Sequence, residues 1–307
     1  MLDNVKSKYI INKIFDFMDN KRKLKFLKYN KRIIDRLDMS INDYKIYSQI
    51  KEFNRKYNTN IKDIDIKELN LRNKNIRNEG LKDLINIELK KLQILNLSHN
   101  QIKEINLLEK AKFKKLKVLD LSHNYISNIN ILKKVDFEEL IKLNLSYCAI
   151  ADINVLENCE FKYLKNLKLD WNLISDIHIL EKVNFIKLKN LNLCGNKISD
   201  INILKKVNFK ELTDLDLSIN EISDINVLEK VNFKELESLN LKDNKITNIN
   251  VLKNVEFNKL LLLDLCENEI NDIQILEKAR FKELKKLNLS KNKINENKCF
   301  PTIRILK

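Results

Sequence analysis

The sequence predicts an elongated α/β solenoid: a curved parallel sheet of stacked short strands, preceded by a small helical cap. Three observations predict it. A 24-residue period runs from Leu92 to the C-terminal region, so that LNLSHNQIKEI at Leu95 aligns with LDLSHNYISNI at Leu119 and with every later unit. Within each unit leucine alternates with polar residues, as in Leu95-Asn96-Leu97, which is the pattern of a strand with one buried face. Such a strand cannot bury that face alone, but copies stacked about 4.8 Å apart form a parallel sheet over a continuous core. Finally, 307 residues contain only 2 Gly and 1 Pro, where average usage is roughly 12% for the two together. A fold built on many Gly/Pro turns, a Gly-rich phosphate loop, collagen or a Gly/Ser linker is therefore excluded.

The elements follow in order. Residues 1–65 do not repeat. Ile10, Ile11, Ile14, Phe15 and Met18 have helical spacing, as do Leu24 and Leu27 and then Ile33, Ile34 and Leu37, with Asp19-Asn20 as a break. These short helices are expected to cap the first repeat. Residues 66–307 form an array of about ten units. The first is irregular: Ile66, Leu69 and Leu71 fit, Lys74 occupies the asparagine place, and Glu79–Ile85 reads as helix. Each regular unit opens on a leucine trio such as Leu116, Leu119, Leu121. The asparagine column follows: Asn100, Asn124, Cys148, Asn172, Asn196, Asn220, Asn244, Asn268 and Asn292. An asparagine amide both donates and accepts, so the stack is expected to serve as a hydrogen-bonded ladder for the turns. The return segment is expected to be extended or 3₁₀, with the phenylalanine column from Phe113 to Phe281 packed inward. The last unit departs again, with Asn297 where isoleucine is due. Phe300, Pro301 and Ile303 then form a small cap, or the array is cut short.

The unit LxxLxLxxNxIxxIxxLxxxxFxx resembles the leucine-rich repeat, and Cys148 is the residue that family accepts in place of asparagine. The resemblance implies non-catalytic protein binding through the concave face. Upstream, Tyr9–Ile33 resembles a diverged F-box at Ile11, Ile14, Phe15, Phe17, Met18, Asp19, Leu24 and Leu27, without that family's opening Leu-Pro pair or its late Trp. It implies a Skp1-like adaptor on these helices and a substrate receptor of an SCF-type ubiquitin ligase. The alternative is a helical cap with no adaptor, on a scaffold or regulatory subunit for a phosphatase, kinase or cytoskeletal partner.

Net charge is +15, and residues 1–67 carry 17 basic and 9 acidic side chains. The lysines alternate with apolar residues and lack any nucleic-acid motif, so nucleic acid is not the expected partner. The N-terminus has no apolar run of signal-peptide length, and no stretch reaches the roughly 20 apolar residues of a membrane span. With 5 cysteines, an odd number, free thiols in the cytoplasm are expected, with the nucleus as the alternative. A monomer is expected.

No catalytic motif occurs, and no cofactor or metal is expected. His99 and His123 share a column one repeat apart, near Asp120, but no third ligand at metal spacing accompanies them. His178 reads as a surface substitution, Cys148 and Cys159 as buried, and Cys194 and Cys266 as facing outward. The binding candidates are two variable columns beside the asparagines, read as strand positions facing the concave surface. They bring His99, His123, Tyr147 and Trp171 together, with Tyr125 and Leu173 adjacent. Aromatic residues are enriched at binding hot spots, so this patch is the expected anchor for a protein or peptide.

Overall fold

A computed structural model describes residue 18, residues 41–62, 64–294 and 305–306. Ile11, Ile14, Phe15, Phe17, Leu24 and Leu27 of the F-box-like segment lie outside the described residues, as does the expected C-terminal cap. Eleven strands form one parallel sheet in strict chain order. They are β1 (Glu68–Asn70), β2 (Ile94–Asn96), β3 (Val118–Asp120), β4 (Lys142–Asn144), β5 (Asn166–Lys168), β6 (Asn190–Asn192), β7 (Asp214–Asp216), β8 (Ser238–Asn240), β9 (Leu262–Asp264), β10 (Lys286–Asn288) and β11 (Ile305–Leu306). The register is the repeat itself: Leu69, Leu95, Leu119, Leu143 and Leu167 stand opposite one another in succession. The 26-residue step of the irregular first unit is absorbed between β1 and β2 by helix α2 (Arg77–Ile85).

Opposite the sheet, each regular unit returns through a 3₁₀ turn, from Asn106–Lys110 to Gln274–Lys278. An Asx turn sets up most of these turns. Asp152, Asp176, Asp200, Asp224 and Asp272 each accept, through Oδ1, the N–H two residues on, at 2.8–2.9 Å. That bond turns the chain without glycine or proline. Between sheet and 3₁₀ turns lies one continuous core. Phe113, Phe185 and Phe209 are fully buried within it, as are the central leucines of β2 to β10. Each fully buried leucine is worth roughly 1.5–3 kcal/mol relative to an exposed one, so the periodic pattern supplies the driving force unit by unit.

Helix α1 (Ile41–Tyr57) closes the N-terminal end. Ile46, Ile50, Phe53 and Tyr57 recur at helical spacing and join the same core. Tyr57 Oη and Lys56 Nζ both bond Asp83 Oδ2 on α2, at 2.8 and 2.9 Å. Burial pushes the Asp83 carboxyl up, but these two donors hold it below the usual carboxylate range. Gly80 on α2 makes the close approach possible. A Cβ there would stand 2.7 Å from Ile76 Cγ2 and 2.9 Å from Tyr57 Cζ.

Candidate binding surface

The asparagine column fixes the corner after each strand. Asn124 Nδ2 donates to the carbonyls of Leu97, Leu121 and Ser122 at 3.0, 2.8 and 3.2 Å. Its Oδ1 accepts the N–H groups of Asn100 and Ile102 at 3.1 and 2.9 Å. One side chain thus satisfies five backbone groups of two units that would otherwise be buried unpaired. Cys148 is weaker: its Sγ reaches Leu121 O and Ser146 O only at 3.6 and 3.7 Å. It is half-buried rather than buried, and burial pushes its thiol up to about 11. Cys159 is buried, and its thiol is pushed up to about 12 for the same reason.

The column before each asparagine is not on the strand. His99, His123, Tyr147, Trp171, Ile219, Asp243, Glu267 and Lys291 all have φ between 51° and 58°, and Gly195 has φ 65°. The strands are three residues long, so this column begins the turn and its side chains stand along the C-terminal rim of the sheet. The same short strand explains Cys266. Strict alternation places it outward, whereas it is buried in the column of Ser98, Ser122 and Ser218. The sequence also underestimates glycine's part. Every regular unit visits the left-handed region, normally closed to side chains with a Cβ, and the ladder holds non-glycine residues there.

Left-handed backbone at matching positions brings the side chains into a stack. The ring centroids of His99 and His123 lie 4.0 Å apart, those of His123 and Tyr147 4.3 Å, and those of Tyr147 and Trp171 5.4 Å, with interplanar angles of 12–17°. Gly195 takes the next place in the column. A Cβ there would meet Trp171 Cδ2 at 2.8 Å, so the indole lies over the glycine. Both faces of His123, Tyr147 and Trp171 are therefore covered, and the ring edges face solvent. Burial first, then the nearby charges of His123 and Arg72, lower the pKa of His99 against the opposing pull of Asp120. Asp120 Oδ1 is engaged by Ser122 N and Oγ at 2.9 and 2.6 Å. Among the described residues no three His, Cys, Asp or Glu side chains are grouped to hold a metal ion. His178 bonds Asp176 at 2.7 Å, away from the stripe, at the start of a 3₁₀ turn.

Beside the stack, Tyr125 and Leu173 are 61% and 45% exposed, and Trp171 and Tyr147 are each 42% exposed. Further along the same two columns the side chains pair with one another: Glu221 with Lys245 at 2.8 Å, Glu269 with Lys293 at 2.8 Å, Glu267 with Lys291 at 2.7 Å. The hydrogen bonds from Lys245 and Lys293 hold Glu221 and Glu269 below the usual carboxylate range. The rim is thus divided into an open aromatic half and an internally neutralised half.

A parallel solenoid with a leucine-built strand and an asparagine ladder in each unit defines a class, and this chain has the leucine-rich-repeat fold. The family model "Leucine Rich repeats (2 copies)" matches residues 90–134. No curated protein matches the chain. Among solved structures, a leucine-rich-repeat protein from Leptospira interrogans is 22% identical over 74% of this chain and 68% of its own, with a TM-score of 0.53. The ectodomain of a membrane receptor kinase from Arabidopsis thaliana, in complex with Casparian strip integrity factor 2, is 25% identical over 67% of this chain and 25% of its own, at 0.52. An internalin from Listeria monocytogenes is 23% identical over 82% and 89% of the two chains, at a TM-score of 0.45. These likenesses concern the fold. Among the described residues no helix is long and apolar enough to cross a membrane.

Proposed function

We propose that this chain is a non-catalytic protein-binding module whose partner docks on the rim formed by His99, His123, Tyr125, Tyr147, Trp171 and Leu173. The observation that carries the reading is the division of the rim. The charged half is satisfied by its own ion pairs, whereas the aromatic half presents rigid, partly exposed rings backed by a ladder. Rigid rings lose little entropy on binding and concentrate binding energy. The Arabidopsis ectodomain, solved in a complex, lends the fold-level support. The odd count of 5 cysteines is the ground for placing this module in a reducing, cytoplasmic setting. In the test, partners are recovered from lysate with the intact chain and with Trp171→Ala. Loss of a hot-spot tryptophan costs at least about 2 kcal/mol, or roughly 30-fold in affinity, so recovery should collapse. Unchanged recovery by a folded variant overturns the reading.

The more specific role, a substrate receptor of an SCF-type ubiquitin ligase, rests on the F-box-like segment standing ahead of the repeats. Affinity purification with and without residues 1–65 tests it. Recovery of a Skp1-like adaptor only with the segment supports it. Its absence from the full chain leaves a scaffold or regulatory subunit with no ligase link.

A further inference from the structure

Lys142, Lys165, Lys168 and Lys189 are exposed on or beside β4, β5 and β6. Among the described residues none of the four is in an ion pair, and none has an interaction beyond those described. About half of the other lysines described on the solenoid are paired, among them Lys187 with Glu211 and Lys259 with Glu235, besides the rim pairs above. Lys165 and Lys189 act on Glu211 only at longer range, behind Lys187. The register holds the four close together. Lys142 stands opposite Asn166, Lys168 stands opposite Asn144, and the Lys189 N–H bonds the Lys165 carbonyl at 2.9 Å. Like charges on neighbouring strands repel unless a counter-charge arrives.

Among the described residues the carboxylates of the same region form no ion pair with these lysines. Asp120 is held by Ser122, and Asp170 accepts the Ser146 hydroxyl at 2.5 Å. The excess is local, because over β7–β9 the same columns turn acidic with Asp214, Asp216, Glu237 and Asp264. The lysines and the rings are two sides of one surface. In the fifth unit Lys165 stands just before β5, Lys168 ends it and Trp171 follows at the turn, so the two sides lie at most about 20 Å apart along the chain.

We propose that this surface binds an extended acidic segment of a partner protein, its carboxylates on Lys142, Lys165, Lys168 and Lys189 and its apolar side chains on the ring stripe. The proposal rests on the protein-binding reading above and names the partner's chemistry. The rings favour a peptide over single-stranded nucleic acid, which binds by stacking bases on open aromatic faces. Here the faces of His123, Tyr147 and Trp171 are already covered by one another and by Gly195. The edges carry hydrogen-bond donors and the positive rim of the ring quadrupole, which suit carbonyl and carboxylate oxygens.

The test is fluorescence anisotropy on the full chain with a labelled peptide alternating glutamate and leucine, against a lysine–leucine peptide and an oligothymidine. The acidic peptide should bind more tightly than either control, and more weakly as salt rises. The triple change Lys165→Ser, Lys168→Ser, Lys189→Ser should weaken it by about tenfold or more, and Trp171→Ala should weaken it too. An acidic peptide that fails to bind, or binds the folded triple variant equally well, overturns the proposal, and so does tighter binding of oligothymidine. If the triple variant still recovers from lysate a partner that Trp171→Ala loses, the rim reading stands and the acidic segment falls.

Discussion

Replacing Cys148 by asparagine should stabilise the solenoid, and the neighbouring rungs set the magnitude. At Asn124 and Asn172 the side chain donates to three carbonyls at 2.8–3.2 Å. Oδ1 of Asn172 also accepts the Ile150 N–H at 3.0 Å. At Cys148 a single weak S–H donor serves Leu121 O and Ser146 O at 3.6 and 3.7 Å. The N–H groups of Asn124 and Ile126 have only its sulfur to meet. Cys148→Asn would supply an oxygen to both N–H groups and a second amide donor. A typical hydrogen bond nets about 0.5–1.5 kcal/mol. Since the sulfur already recovers part of this, the gain should be about 1–3 kcal/mol. In a chain of this size that corresponds to roughly 2–4 °C in Tm per kcal/mol. Thermal and urea denaturation followed by circular dichroism would measure it. An unchanged or lower midpoint would refute the claim that the ladder bonds, rather than the leucine core alone, hold the turns.

Two other substitutions test the backbone argument. Ile219 is β-branched and has φ 54°, the residue class least suited to the left-handed region. Ile219→Asn should raise stability by about 0.5–1 kcal/mol, since asparagine tolerates that region, and a clear fall in urea midpoint would count against strain at the corner. Gly80→Ala sets two effects against each other. Helix propensity favours alanine by about 1 kcal/mol, but the contacts of 2.7 and 2.9 Å with Ile76 and Tyr57 bring an overpacking cost of about 1–3 kcal/mol. The steric cost should prevail and Tm should fall; a rise would show that α1 and α2 part easily.

The core was legible because it is periodic: Leu95, Asn100 and Phe113 recur at one interval, and each recurrence confirms the last. The aromatic columns were legible as columns, but not their conformation. Period-two alternation carries no information about where a strand ends, so His99 and Cys266 were assigned to a strand that stops at the preceding Asn96 and Asp264. Helix α1 was missed because it occurs once, although Ile46, Ile50, Phe53 and Tyr57 carry its spacing in plain sight. The exposed lysines of β4–β6 were missed for another reason. A lysine without a partner differs from a paired one only in its neighbours across the sheet, which sequence order does not show.

The central claim is that a protein partner occupies the aromatic half of the rim, and site-specific photocrosslinking tests it most directly. Benzoylphenylalanine would replace Tyr125, exposed beside the stack, and in a second variant Lys253, exposed on the 3₁₀ turn Asn250–Lys253. The account predicts crosslinked partner from position 125 and none from position 253. Crosslinking from position 253 alone would contradict it.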